Sequence, residues 1–547
     1  MSVAAMSIGW DAHLQPLEFS AARSRQMWVP FIVPMLLTAV SWMAGGIPLL
    51  TDAGFLGLTV ICAIYVIREL LVFPQRFGVG GLILFGGALM WFSYDYCTNW
   101  LGVNFSGSGP ILSGSNVWGE APYSADILAK ASFFHSMFML FASMGLLIKR
   151  GDWASRPLTA VPEPSGRSFY LLLLLLFCFL GISPYLFFTV DPWYIAIFEH
   201  MRGGYTHGIA WTVGRGPTIN TTSLMATVQV QLLELGYIAG AFAAFYSILI
   251  ARAAPGKVLG WALWVFWMLM ATGTGGRSNT LTVAMPAVVL LFLKHNARAA
   301  SLLHRISPRA YLTAFVIGLV TLVVVQYQGR FRTIVFEERD LSDFSVTKLA
   351  GNTMFSEGLV GYYLVPEYKP FLYDTFPGAS LIRPIPQTLF DFGVGFVPRP
   401  LWPGKPVNEI AMWYSRAVTG EKQDLEERGI TGVSRGLVGH WYFPYGWIGV
   451  VEGGLFFGWL LVLGERALAR NLHRPLTILI VLGYLTFLFR SFRDIVFNWA
   501  YPVVFTAMIL WMLVKLQRMF SGTDTAEAGA LAPTEQFDYE QPAMWRE

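Results

Sequence analysis

Two stretches decide how this chain is read. One is Phe396-Val397-Pro398-Arg399-Pro400-Leu401-Trp402-Pro403-Gly404-Lys405-Pro406, and the other is Val438-Gly439-His440-Trp441-Tyr442-Phe443-Pro444-Tyr445-Gly446-Trp447-Ile448-Gly449. Prolines at 384, 386, 398, 400, 403 and 406 fix φ and remove backbone donors, which forbids a long helix through 383–406 and sets an extended path. Polar, Pro-, Trp- and Arg-rich sequence of this kind runs from about Gln328 to Gly446 and gives way to apolar runs on either side. Between Leu341 and Leu364, Phe344, Leu349, Met354 and Leu359 allow short amphipathic helices that pack on those runs. A chain otherwise committed to lipid keeps its chemistry in such a loop.

Outward from the loop, apolar segments recur along all 547 residues. The composition is 55% hydrophobic, 15% aromatic and 13% charged, far from the roughly one-quarter charge of a soluble domain. Runs of 17 or more apolar residues are each long enough to cross a hydrocarbon core of roughly 30 Å as a helix. We read twelve spans, at about 27–45, 48–67, 79–97, 129–148, 169–190, 224–250, 257–272, 279–294, 310–327, 447–464, 475–490 and 498–515. The fold class is therefore an all-α polytopic membrane protein with one large extracytoplasmic loop domain. It divides into a cytoplasmic segment 1–26, spans one to nine over 27–327, the loop 328–446, spans ten to twelve over 447–518, and a polar, acidic tail 519–547. The residues before the first span include Asp11 and Glu18 and do not read as a cleavable signal. Cys62, Cys97 and Cys178 fall in apolar runs without a CxxC, so neither a disulfide framework nor a metal site is expected.

Charge sorts the loops. With both termini in the cytoplasm, Arg23, Arg25, Arg68, Arg76, Lys149, Arg150, Arg252, Lys257, Arg298, Arg466, Arg470, Lys515 and Arg518 all lie inside, as the positive-inside bias requires. The loop from Thr98 to Tyr123 then lies outside and has no Lys or Arg. The 328–446 loop is outside too.

Arginines on the outer side violate that bias and need a reason. Arg277 sits in Gly273-Thr274-Gly275-Gly276-Arg277-Ser278 at the outer start of a span, and Arg490 and Arg493 bracket the turn Phe489–Asp494. The loop adds Arg330, Arg332, Arg383, Arg399, Lys405, Arg428 and Arg435. Guanidinium forks bind phosphate oxygens in pairs and stay charged at any working pH. Gly-rich backbone before a helix offers free N–H groups to an anion. Together these suit a lipid-linked diphosphate. The competing explanation is that such arginines reach to headgroups or pair with Glu337, Glu338, Asp340, Glu426 and Glu427, and Arg428 fits it best.

The Gly-Gly-Arg-Ser at 275–278, the Pro-Arg-x-x-Trp-Pro-x-Lys-Pro run and the closing Gly-x-x-Tyr-x-x-x-Gly-x-x-Gly resemble Wzy-type O-antigen and exopolysaccharide polymerases. Arg428 to Gly439 and Arg435 to Gly446 each repeat an Arg, ten residues, Gly spacing. The resemblance covers the span layout and, in motifs, roughly 270–290 and 380–455. It implies a GT-C-like membrane glycosyltransferase of a bacterial inner membrane. Such an enzyme passes a growing glycan from undecaprenyl diphosphate to the terminal hydroxyl of a new lipid-linked repeat, with no cofactor, metal or nucleic acid. A chain-length regulator is the partner it implies. His440 departs from the family, which more often carries an acidic residue there, and brings the chain nearer the O-antigen ligases.

On this reading Arg277, Arg399, Lys405, Arg435, Arg490 and Arg493 hold the diphosphate. His440 accepts the hydroxyl proton, ahead of Glu357 and Asp391, because an imidazole titrating near neutrality suits a base. Arg383, Arg428 and Tyr442 are secondary candidates. Alternatively, His440 only stacks among Trp441, Tyr442, Phe443, Tyr445 and Trp447. Three further activities remain open: an O-antigen ligase, another polyprenyl-linked glycosyltransferase, and a transporter or flippase of lipid-linked saccharide. The glycosyltransferase would need acidic residues in the first outer loop, about Gly45–Pro48, which has no Asp-x-Asp. The transporter would need charges lining the spans, for which Glu234, Glu452 and His135 are the candidates. Glu234 has the further option of hydrogen-bonding within the bundle.

Overall fold

The computed structural model describes residues 27–72, 79–93, 125–148, 167–187, 192–202, 232–250, 254–273, 436–471, 475–492 and 500–521, with isolated positions at 279–287 and 385–402. Among these residues the chain is helical and contains no strand. In order come a 3₁₀ turn Val29–Phe31, α1 Ile32–Met43, α2 Pro48–Val72, α3 Val79–Ala88, a π segment Leu89–Ser93, α4 Ala125–Gly145, α5 Arg167–Phe187 and α6 Trp193–Arg202. A second π segment Gly236–Gly240, α7 Ala241–Ile250, α8 Ala254–Gly273, α9 Gly436–Arg470, α10 Pro475–Arg490 and α11 Tyr501–Ser521 follow.

Among the described residues three stretches are long and apolar enough to cross a membrane: Pro48–Glu69, Ala254–Thr272 and Tyr445–Leu468. Their setting fits lipid. Val60, Ile64 and Ile67 of α2, Val258, Val265 and Leu269 of α8, and Met508, Trp511 and Met512 of α11 point outward and are exposed. In water such continuous apolar faces would cost heavily; against lipid tails they cost nothing. Several hydroxyls turn back to a carbonyl one turn earlier on their own helix, a bond that needs no water. Thr38 donates to the Pro34 carbonyl at 2.7 Å, Thr59 to Phe55 at 2.8 Å and Thr486 to Leu482 at 2.8 Å.

Where no hydrophobic gradient drives helices together, close approach of small residues does. α9 lies parallel to α4, with Gly454 against the Phe138 carbonyl and Gly458 against that of Ala142, so side-chain-free surface replaces a groove. A second cluster forms around Trp267, which is fully buried against Gly181, Gly236 and Gly240 and meets Tyr237 edge-on at 6.1 Å. The Gly45–Gly46 turn between α1 and α2 is closed by Ser41, whose hydroxyl meets Thr51 at 2.7 Å and accepts the Ile47 N–H at 2.8 Å.

Several expected spans fall on a helix: 48–67 on α2, 129–148 on α4, 169–190 on α5, 257–272 on α8 and 475–490 on α10. Segments 1–26 and 310–327, most of 328–435 and the tail beyond 521 lie outside the described residues. The structure differs from the expectation at two places. Helix α6, with Trp193, Tyr194 and Phe198 exposed, falls where no element was expected. The last part of the expected loop is also helical: α9 begins at Gly436, which takes a positive φ of 71°. It then breaks at Gly446, where φ 64° and ψ −151° are accessible essentially to glycine alone. That break coincides with the expected boundary at 446–447. The leading piece packs into the core instead of lying on a surface.

Candidate functional site

One end of the bundle gathers most of the described polar chemistry. It is built from the end of α1, the π segment Leu89–Ser93, the start of α4, the helical residues 232–235, the start of α9 and the turn after α10. The tie at its centre is a backbone hydrogen bond. The N–H of Leu437, second residue of α9, has no carbonyl on its own helix to reach; it donates to the Phe492 carbonyl at 3.0 Å. Phe492 is fully buried and surrounded by rings: Trp91 at 6.3 Å, Phe92 at 5.5 Å and Phe457 at 5.3 Å. His135 stacks on Phe92 at 4.4 Å.

Arg490, two residues before Phe492, is 2% exposed. Its Nη1 donates to Glu234 Oε2 at 3.3 Å and its Nη2 to Asn279 Oδ1 at 3.0 Å. Glu234 thus hydrogen-bonds within the bundle, the alternative open to it from sequence. It stands just before the π segment Gly236–Gly240, while the other π segment supplies Trp91 and Phe92 against Phe489 and Phe492. π segments widen the helix and re-aim side chains, and they concentrate at functional sites.

His440 lies one turn into α9, buried at 8% exposure, with its ring edge-on to Trp441 at 5.5 Å. Tyr442 is buried too, its ring 4.3 Å from Phe134. Lys130, on the second turn of α4, sits over two rings at once, Tyr442 at 5.4 Å and Trp42 at 5.8 Å. Such cation–π placement holds an ammonium at a fixed point at a membrane edge.

Of the residues expected to form the site, the structure describes His440, Tyr442 and Arg490. Arg277, Arg383, Arg399, Lys405, Arg428, Arg435, Arg493, Glu357 and Asp391 lie outside the described residues. Three of them are close in sequence to residues of this cluster: Arg277 precedes Asn279 by two positions, Arg435 precedes Leu437 by two, and Arg493 follows Phe492 directly. Phe392, next to Asp391, accepts a hydrogen bond from the Tyr501 hydroxyl at 3.4 Å, and their rings lie 5.9 Å apart. Trp402 is 38% exposed.

Sequence reasoning passed over Lys130 and Asn279. Lys130 carried a usable signal, since a lysine at the outer end of an expected span breaks the positive-inside bias as the outer arginines do. Asn279 carried none, because its partner is 211 positions away.

The opposite helix ends form a separate polar group. Gly80 at the start of α3 donates its N–H to the buried Glu465 carboxylate at 2.8 Å, and Glu69 of α2 lies against Gly81. Among the described residues no three His, Cys, Asp or Glu side chains gather into a metal-binding group. No family model, curated protein or solved structure matches this chain.

Proposed function

We propose that this protein joins undecaprenyl-diphosphate-linked oligosaccharide repeat units into a polysaccharide at the outer face of a bacterial inner membrane. The proposal includes twelve spans, the 328–446 loop outside, and both termini in the cytoplasm. The observation that carries it is the pair of ties Asn279–Arg490 and Leu437–Phe492. They bring together three chain segments that lead, within one or two residues, to Arg277, Arg435 and Arg493. The grouping of helix ends supports the topology. Lys130, Trp42, His440 and Phe492 share one end, and Glu69, Gly80 and Glu465 the other. The charge bias assigns these two sets to opposite sides of the membrane.

In the proposed reaction the acceptor hydroxyl oxygen attacks the anomeric carbon of the donor glycan. The bond from that carbon to the lipid diphosphate breaks, and the diphosphate leaves with the electron pair. The diphosphate carries its own activation, so the protein's work is to hold growing negative charge and to orient the hydroxyl. Arg277, Arg435 and Arg493, with Arg399 and Lys405 from the loop, take the first task, and His440 accepts the proton. The implied protein partner is a chain-length regulator.

The test is to incubate the purified protein with a single lipid-linked repeat and look for a product ladder. Arg277→Ala and Arg435→Ala, each shown to be inserted, should abolish long products. Unchanged polymer length in both would remove these residues from the mechanism. The part-buried Glu234–Arg490 pair favours a second reading, a transporter of lipid-linked saccharide, because ionised pairs inside a bundle often mark a translocation path. The two separate in cells. Loss of a polymerase leaves single repeats on the acceptor, whereas loss of a transporter leaves none outside.

A further inference from the structure

Arg490 was expected from sequence to face a diphosphate, yet it is 2% exposed and both terminal nitrogens are engaged, one by Glu234 and one by Asn279. Buried and held in this way by its terminal nitrogens, the guanidinium fixes protein and is shut off from an incoming anion while the pair stands. What it fixes is visible in the next two residues. The Ser491 hydroxyl turns back to the Phe487 carbonyl at 2.8 Å, and the Phe492 N–H reaches the Phe489 carbonyl at 3.3 Å. This leaves the Phe492 carbonyl aimed at the first turn of α9, where Leu437 donates to it. His440 rides one helical turn beyond Leu437.

We propose that Glu234, Asn279 and Arg490 form a positioning cluster. By tying α10 to the helical residues 232–235 and to Asn279, it sets the Phe492 carbonyl that anchors the start of α9, and through that anchor it places His440. Arg490 is then a positioning residue and not a diphosphate ligand. The functional consequence rests on the glycan-joining reading; the mechanical coupling does not.

Hydrogen exchange of the full-length protein in lipid nanodiscs, read by mass spectrometry, tests the coupling directly. In Glu234→Gln the amides of 436–440 and 489–492 should exchange about tenfold faster or more, while 455–461 at the α4–α9 seam holds its wild-type rate. Arg490→Lys keeps the charge but loses the two-pronged contact, so it should loosen the same two segments to a smaller degree. It decides the question where Glu234→Gln does not fold. In turnover with a lipid-linked repeat, both variants should lose kcat with KM unchanged. Unaltered exchange at 436–440 would overturn the proposal, as would equal loosening of all three segments, which marks a general structural role. A raised KM with kcat retained in Arg490→Lys would overturn it too, because that is the behaviour of a ligand. If the wild-type protein makes no product ladder, the glycan-joining reading fails and the exchange pattern still decides the coupling.

Discussion

Gly458 offers the sharpest test of how the bundle is held, because the same substitution elsewhere should have the opposite sign. A methyl group added at Gly458 would fall on the Ala142 carbonyl, with the Gly145 Cα beside it, so α4 and α9 would have to separate. A methyl added at Gly86 of α3 meets nothing within 4 Å. Gly→Ala within a helix gains roughly 0.5–1 kcal/mol from backbone entropy. Gly86→Ala should collect that gain in full. At Gly458 the same gain is set against overpacking of a rigid backbone contact, which costs about 1–3 kcal/mol. The net for Gly458→Ala is a loss of up to about 2.5 kcal/mol, and a larger side chain such as Leu should cost more. The assay is the midpoint of thermal unfolding in detergent micelles, followed by tryptophan fluorescence, with the two variants measured side by side. Gly86→Ala should raise the midpoint and Gly458→Ala should lower it. If both rise, α4 and α9 are not in backbone contact at this point, and the parallel seam on which Lys130, His440 and Tyr442 are arranged is wrong.

Three other expectations use different parts of the molecule. Glu465→Ala removes the acceptor of the Gly80 N–H and leaves that donor buried, at a cost of about 1–3 kcal/mol, read in the same unfolding assay against Glu452→Ala as a control. Gly446→Ala forces a side chain into φ 64°, ψ −151°, which costs of order 1–3 kcal/mol and should lower the unfolding midpoint; an unchanged midpoint would mean that α9 is continuous there. Lys130→Met keeps the length of the side chain but removes the charge held over Trp42 and Tyr442. Product length from a lipid-linked repeat should shorten while the unfolding midpoint moves by less than about 1 kcal/mol equivalent, the scale of an exposed cation–π contact.

The helices were legible from sequence because their signal is local. An apolar run such as 48–67 or 257–272 declares itself in a single window, and Pro48 and Gly446 stand where the structure begins one helix and breaks another. Helix α6 was missed for the same reason. Trp193 to Arg202 is only ten residues and includes Glu199, His200 and Arg202, too short and too polar for a window tuned to spans. The burial of His440 and Trp441 was not legible either. Gly436 to Tyr445 is dense in glycine, proline and aromatic residues, which reads as a loop, yet in a crowded bundle glycine permits close packing and aromatic rings fill the core.

The site shows a more general limit. Sidedness bias could nominate Arg490, because it asks only where a charge lies relative to the membrane. What a charge does depends on its partner, and Glu234 is 256 positions away. A guanidinium near a bilayer rim can neutralise either a substrate phosphate or a carboxylate of its own chain, and both uses leave the same mark in sequence. Desolvation separates them in the structure. A buried ion pair loses several kcal/mol when one member is removed, because the other is left uncompensated, so an arginine serving that purpose cannot be lent to a ligand without a matching cost. If the proposed function holds, the task of meeting an incoming diphosphate falls to arginines such as Arg277, Arg435 and Arg493, which neighbour the tie in sequence. The arginine most securely anchored in the cluster is, by the same argument, the one least able to touch the substrate.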